Sequence, residues 1–528
     1  MFEIDRRKLV ASLALAMGGA ATGRAAAQQT GGAAPQPQQS PAPGFSHEDV
    51  LRRARELASV PLSAAPALPE ALAKIDQDAW REIRFKPERS LLGNNSNGGG
   101  SFRLQPWHLG SSYRRPVIVN TIRDGIATPV PYAANLFDYG GTKFEKPLPV
   151  NTGFAGFRLT YPLNDPRAFD EVISFLGASF FRFVGRGQRP GASTRALGVN
   201  VGGANEELPF FREFWIETPE HAADKITIHA LLDGEAATGA YRFELRPGVD
   251  TTLDVKLTLF ARKSGAKISF APLTSMFHHG EGGQRAKADY RPEAHDSDGL
   301  LIHTSAGEWL WRPLRNPSAS EVSAFMGKDM RGFGLLQRDR NFEHYQDLDL
   351  AYERRPSLWV EPVGDWGEGH VELIESAAAD ESADNIMASW VPAAAPEPGK
   401  PLSLAYRITS TLDVARLSPA GRAIGAFQTQ PKASNGKAVP TNSHRLLIDF
   451  ADGDLPFFLN DAAAVEVVAT ASAGQILRTF VTPNPNVRGF RVGLDLQLEP
   501  GQTADLRVSL RNGTHTLTET WTTPFKGE

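Results

Sequence analysis

The chain has 528 residues, 41% of them hydrophobic, with a net charge of −4 and no cysteine. Stability must come from a packed core rather than from disulfides, and a chain of this length has ample apolar residues for one. Near-balanced charge, with no basic block beyond the N-terminal segment, gives no footing for nucleic-acid binding.

In chain order, the first element is an export signal over residues 1–27. Asp5-Arg6-Arg7-Lys8-Leu9 precedes an apolar run from Leu9 to Met17 and a small-residue cleavage site at Ala25-Ala26-Ala27. The run is far shorter than the roughly 20 residues that span a bilayer, and the paired arginines point to the twin-arginine route into the periplasm. Residues 28–44, low-complexity Gln, Gly, Ala and Pro, predict a flexible linker. Ser46, with Asp49 three residues on, is the expected N-cap of a helix through DVLRRARELA, and a short helix is expected from Pro69 to Ile75.

Beyond these, strand signals dominate. Leu253, Val255, Leu257 and Leu259 alternate with polar residues, and Ile226 to Leu232 and Tyr241 to Leu245 also read as strands. With 49 Gly and 38 Pro to serve as turns, residues 45–390 predict an all-β fold, a large antiparallel β-sandwich. A Pro/Ala break at residues 391–400 predicts an interdomain linker. Residues 401–528 then offer about seven strands. Among these, Phe490 to Leu498 alternates, and Leu506-Val508-Leu510 leads through Asn512-Gly513 into Thr516 to Trp521 as a hairpin. An immunoglobulin-like β-sandwich is the expectation there.

Two acidic clusters carry the chemistry: RPEAHDSDGL, from Arg291, and DESADNIMASW, from Asp380. Aromatic and Arg-rich segments lie between them. Carboxylates in such surroundings are what cleavage of a glycosidic bond requires: one protonates the leaving oxygen, and the other activates water or attacks. Tyr345 and Asp347 in HYQD, with Trp309, Trp311 and Trp359, are candidates for lining sugar subsites, and Arg312 and Arg355 for binding hydroxyls. Each has a plainer reading: Trp on an alternating strand is usually core, and the two arginines also suit structural ion pairs. Asp296 and Asp298 would equally cap a turn before the strand from Gly299, and Asp384 would equally be a surface acid beside Glu381. No cofactor motif is present. His278-His279 and His295-x-Asp supply no convincing ligand set, so no metal is expected.

A run of longer motifs is more specific. SFLGASFFRFVGRGQRPGAS (from Ser174), EELPFFREFWIE (from Glu206), ALLDGEAATGAYRF (from Ala230) and APLTSMF (from Ala271) precede HDSDGL. GEWLWRPL, GFGLLQRDR, HYQD, RPSLWVEP and ADNIMASW follow in order. Together they resemble the periplasmic glucans biosynthesis proteins G and D (MdoG/OpgG and OpgD), the signal peptide being closer to the D branch. The resemblance runs from Phe102 to Trp390 and more weakly beyond, including LLIDFADGDL from Leu446.

The resemblance implies a periplasmic protein acting on β-1,2-glucan in osmoregulated periplasmic glucan biosynthesis. Family members include inverting glycoside hydrolases and transglycosylases. Carried over by motif, Asp384 is the general acid and Asp296 the general base. An inverting pair leaves room for a water, with carboxyls about 6.5–9.5 Å apart, which residues from two distant segments can provide. Asp384 would keep its proton with help from apolar Ile386 and Trp390, while Asp296 would sit ionised among polar neighbours. The resemblance also implies a homodimer and an inner-membrane glucan synthase as partners. Departures from the family pattern fall at Phe180 to Phe183, at Pro190 to Leu197, at Tyr406 to Ser410, and in a loop around Gln428 to Thr441. They keep a second reading open, a non-catalytic glucan-binding protein guiding a nascent chain.

Overall fold

The computed structural model describes residues 44–92, 100–144, 146–281, 289–431 and 439–527. The expected signal peptide, all but the last residue of the expected linker, and the centre of the Gln428–Thr441 segment lie outside the described residues.

Aromatic side chains on alternating strand positions build the main core. One sheet of ten strands and one of fifteen are described, mostly antiparallel. Phe157, Phe175 and Phe181 point from the ten-stranded sheet towards Phe211, Phe214, Tyr241 and Phe243 of the other. Their rings interlock edge to face: Phe157–Phe214 at 4.9 Å, Phe175–Phe243 at 5.3 Å, Phe181–Phe243 at 5.4 Å. The all-β sandwich is the expected fold class.

The strand read from alternating leucines is Thr251–Ala261, and Leu253, Val255 and Leu257 face Leu245, Phe243 and Tyr241 on its neighbour. Ile226–Asp233, by contrast, is buried at every position. Its outer face is covered by the first helix, His47–Ala58, which sets Val50 and Ala54 against Ile122, Trp215, Leu231, Ala240 and Phe260. Ser46 caps this helix with Asp49 in a reciprocal capping box. The second helix spans only Glu70–Ala73, with Pro69 as N-cap, and a further one, Gln77–Glu82, was not legible.

The Pro/Ala break does not separate the two halves. Val391 and Pro392 end the strand Ile386–Pro392, and after the break Leu402–Thr411 returns to the fifteen-stranded sheet, between Thr251–Ala261 and Ser357–Val363. Hydrogen bonding on both edges outweighs what the composition suggests. The C-terminal lobe begins after Thr411. There Arg422–Thr429, Ser443–Ala451, Gly489–Gln497 and Gln475–Asn484 form one sheet, opposite Glu466–Ala471, Thr503–Asn512 and Thr520–Lys526. The Asn512-Gly513 turn forms as read, with Gly513 at φ +57° where a side chain would be strained. Thr520–Lys526 also pairs in parallel with Trp309–Pro313, so this lobe continues the large sheet. Its core takes in Leu301, Trp311, Leu336 and Trp359 from that sheet.

Phe175 touches aromatic rings from both sheets. Phe175→Ala is expected to cost about 3–5 kcal/mol of stability, read as a lower urea midpoint with the unfolding slope unchanged.

Candidate active site

The strand Ile268–Ser275 continues past Met276 into Phe277–His279, which pairs with Ala294–His295. Asp296 follows at once, and its backbone N–H donates to the Met276 carbonyl (2.8 Å). The other acid-bearing segment is tied to the same place by an amide. Buried Asn385 accepts from the Phe277 N–H (2.8 Å) and donates to the carbonyls of Phe277 and Ser376 (3.0 Å each). Asp384, its neighbour, accepts from Thr274 Oγ1 (3.1 Å), which lies 2.7 Å from Ser193 Oγ.

The two carboxylates therefore share one site, in unlike settings. Asp296 is buried, with Arg355 Nη1 3.0 Å from its Oδ1. Burial lifts its pKa to about 6; Arg355 opposes the rise, while the charges of Asp384 and then Glu381 add to it. Asp384 is exposed. The structure thus reverses the sequence argument about surroundings. Ile386 and Trp390 turn into the sandwich core and leave Asp384, which precedes that strand, outside.

Arg355 is the one subsite candidate that reaches the acid pair. Its guanidinium also lies 4.9 Å from the Tyr352 ring centre. A Cβ on Gly191 would stand 2.5 Å from Arg355 Cδ, so the segment that departs from the family pattern gives this arginine its room. Tyr352 and Glu381 belong to the same site. The Tyr352 hydroxyl donates to Glu381 Oε2 (3.2 Å), which also takes an ion pair from Arg291 Nη2 (2.5 Å). Burial and then the charges of Glu381 and Asp296 raise the Tyr352 pKa, so this phenol stays protonated. Sequence reasoning passed over Tyr352 because a lone Tyr before Glu-Arg-Arg carries no motif signal.

The remaining candidates do not reach the acid pair. Asp347 Oδ1 accepts from the N–H groups of Asp349 and Leu350, and its Oδ2 binds Arg291 (3.2 Å). It shapes the turn that presents Tyr352 through Ala351, held at φ +46°. Tyr345 is fully buried against Met276, Ala294 and Tyr352, and its hydroxyl accepts from Gln337 Nε2 (3.0 Å). Arg312 makes a buried ion pair with Glu375 (2.6 Å), the structural alternative. Trp311 and Trp359 are core, and Trp309 packs beside them, stacked on His303 at 3.9 Å. They lie on the face that the C-terminal lobe covers, so their indoles are spent on joining the lobes. Asp298 is structural as well: its Oδ2 accepts from the N–H groups of Arg338 and Asp339.

Fold and site define a two-lobed all-β protein whose acidic site is assembled from distant segments. The chain belongs to the family described as periplasmic glucan biosynthesis protein, MdoG, whose model matches residues 45–525. It is 42% identical over 488 residues to glucans biosynthesis protein G of Ralstonia nicotianae, covering 90% of this chain and 95% of that one. Identity is 40% to the protein of that name from Pseudomonas aeruginosa PAO1 and 39% to that of Pectobacterium atrosepticum, each covering 91% of this chain and 93% of the relative. These relatives bear the G name. The family is periplasmic, and the periplasm is this chain's compartment. Among the described residues no helix is long and apolar enough to cross a membrane.

The lifted pKa of Asp296 has a consequence for stability. A carboxyl whose folded pKa lies above its unfolded value binds protons more tightly in the folded state, so its contribution falls as pH rises from about 4 to about 6. Asp296→Asn removes that penalty. At pH 7 the variant is expected to be more stable by on the order of 2–3 kcal/mol, and the gain should vanish towards pH 4 in thermal melts.

Proposed function

We propose that this protein cleaves or rearranges β-1,2-linked glucan in the periplasm, inverting the anomeric centre, with Asp384 as general acid and Asp296 as general base. The observation that carries the reading is the pairing of a buried and an exposed carboxylate, from segments far apart in the chain, within one electrostatic environment. Family membership and the G-protein relatives supply the glucan; the linkage and the inversion rest on the resemblance of the motifs.

In this scheme Asp384 gives its proton to the leaving glycosidic oxygen. Water adds to the anomeric carbon from the opposite face, and its proton passes to Asp296, directly or through a water or a sugar hydroxyl. Solvent return restores both acids to their starting states. If a sugar hydroxyl replaces the water, the same steps transfer the chain instead of hydrolysing it. A base with a pKa of about 6 is stronger than an ordinary Asp and is still ionised at neutral pH. A glucan lying over exposed Asp384 would exclude water from it. Arg355 is placed to moderate Asp296 and to meet a sugar hydroxyl.

The test is incubation of the mature protein with linear β-1,2-glucan, resolving products by mass, linkage and anomeric configuration. Activity is expected to fall by at least about 10³-fold in Asp296→Asn and in Asp384→Asn. Tight binding of an unchanged glucan would favour the non-catalytic reading, and activity surviving both substitutions would refute the acid pair. The acid limb of kcat/KM is expected near pH 6, with Asp296 ionising. Arg355→Leu removes the cation that lowers this pKa and should move the limb upward by roughly one unit.

A further inference from the structure

Beside the acid pair, on the far side of Arg291, stands a constellation that the proposed chemistry does not use. His278 and His279 are consecutive on a strand, where side chains ordinarily point to opposite faces. Here the register breaks between Phe277 and His279, and that irregularity brings the two imidazoles within 5.0 Å, edge to face. The fold then delivers the third member, Asp289. One ligand atom from each of the three side chains lies within 4.8 Å of the other two.

The hydrogen bonds say which atoms are free. His279 Nε2 lies 3.2 Å from the Arg291 carbonyl, which can only accept, so Nε2 carries the proton and the neutral ring keeps its lone pair on Nδ1. That Nδ1 is buried, in a residue 4% exposed, and has no hydrogen-bond partner among the described residues. His278 Nδ1 is likewise buried and unpartnered among them. A buried acceptor left unfilled is costly. Asp289 is held from behind: its Oδ1 accepts from the Arg291 N–H (2.9 Å) and Nε (3.0 Å), and its Oδ2 from Nη2 (2.8 Å). An imidazole donating to a carbonyl and a carboxylate clamped by hydrogen bonds are the outer partners that orient metal ligands.

We propose that His278, His279 and Asp289 bind a divalent transition-metal ion of the zinc type. Two imidazoles and one carboxylate select such an ion over calcium or magnesium, which prefer all-oxygen sites. Tetrahedral zinc with bonds of about 2.0–2.1 Å needs ligand atoms about 3.4 Å apart, so side-chain rotation must bring the three atoms closer together. Three protein ligands leave the fourth position open towards a cavity of about 480 Å³ lined by His278, Asp289, Arg291, Asp347, Asp380 and Glu381. Arg291 holds Asp289, Asp347 and Glu381 together. The ion would thus brace the wall of the cleft that carries Glu381 and Tyr352. None of this depends on the glucanase reading.

The test uses tag-free mature protein stripped with EDTA and dialysed, then titrated with zinc in competition with a chromogenic chelator. One zinc per chain is expected. Its affinity should fall by about tenfold or more in His278→Gln, His279→Gln and Asp289→Asn, while His47→Gln, at the other close histidine pair, leaves it unchanged. Cobalt in place of zinc should give the visible absorption of a tetrahedral site in the wild type and lose it in the three variants. Melting in EDTA separates lost ligation from lost fold, and partly exposed His278 is the substitution least able to disturb packing. Substoichiometric zinc, affinity unchanged in His278→Gln with the fold intact, or loss of binding in His47→Gln instead would overturn the proposal.

Discussion

The candidate site depends on the side-chain amide of Asn385. It bonds both backbone groups of Phe277 and the carbonyl of Ser376, so two chain segments that approach the cleft from different directions cannot drift apart. A buried amide satisfied by three backbone groups is costly to break, because each partner would be left dry and unpaired. Asp384 is anchored on one side of this clamp and Asp296 on the other, where it is reached through the bond to Met276. Ser275 and Ser297, whose hydroxyls meet at 2.8 Å inside the protein, reinforce the link between the Met276 and Asp296 segments.

On this frame the electrostatics are arranged by depth. Asp296 lies below the surface, with one cation against it and two further carboxylates within reach of its charge. Asp384 stands at the opening. Burial outweighs the single arginine, and the neighbouring carboxylates add to it, so the inner carboxyl titrates at about 6. Arginines divide the labour around it: Arg355 faces the acid, Arg340 donates to the carbonyls of Glu353 and Arg355 to hold that segment, and Arg291 gathers acids from three parts of the chain. Tyr352 links the two halves of this network through its ring and its hydroxyl.

The C-terminal lobe is joined to the large sheet more closely than a linker would allow. A parallel strand pair and a shared core of Trp311, Trp359, Leu336 and C-terminal leucines make the boundary a packed layer. Arg338 lies over the Trp311 ring at 3.4 Å and pairs with buried Glu519 at 2.7 Å, closing the same seam. The tryptophans that a sugar-binding reading would claim are therefore committed to holding the lobes together.

Sequence alone determined the strand-rich character, the alternation of Thr251–Ala261, the capped first helix and the glycine turn at residue 513, since each depends on neighbours close in the chain. The motifs around Asp296 and Asp384 also stood out, because acids cluster there in order with long, specific segments. What tertiary structure decided was every property set by distant neighbours. Leu402–Thr411 belongs to the fifteen-stranded sheet because two strands are waiting for it, whatever the composition before it. Trp311 is core and Arg312 an ion-pair partner because the lobe and Glu375 lie against them. Asp296 is the buried carboxyl and Asp384 the exposed one, the opposite of what their flanking residues suggest, since burial is a property of the assembled surface and not of the adjoining sequence.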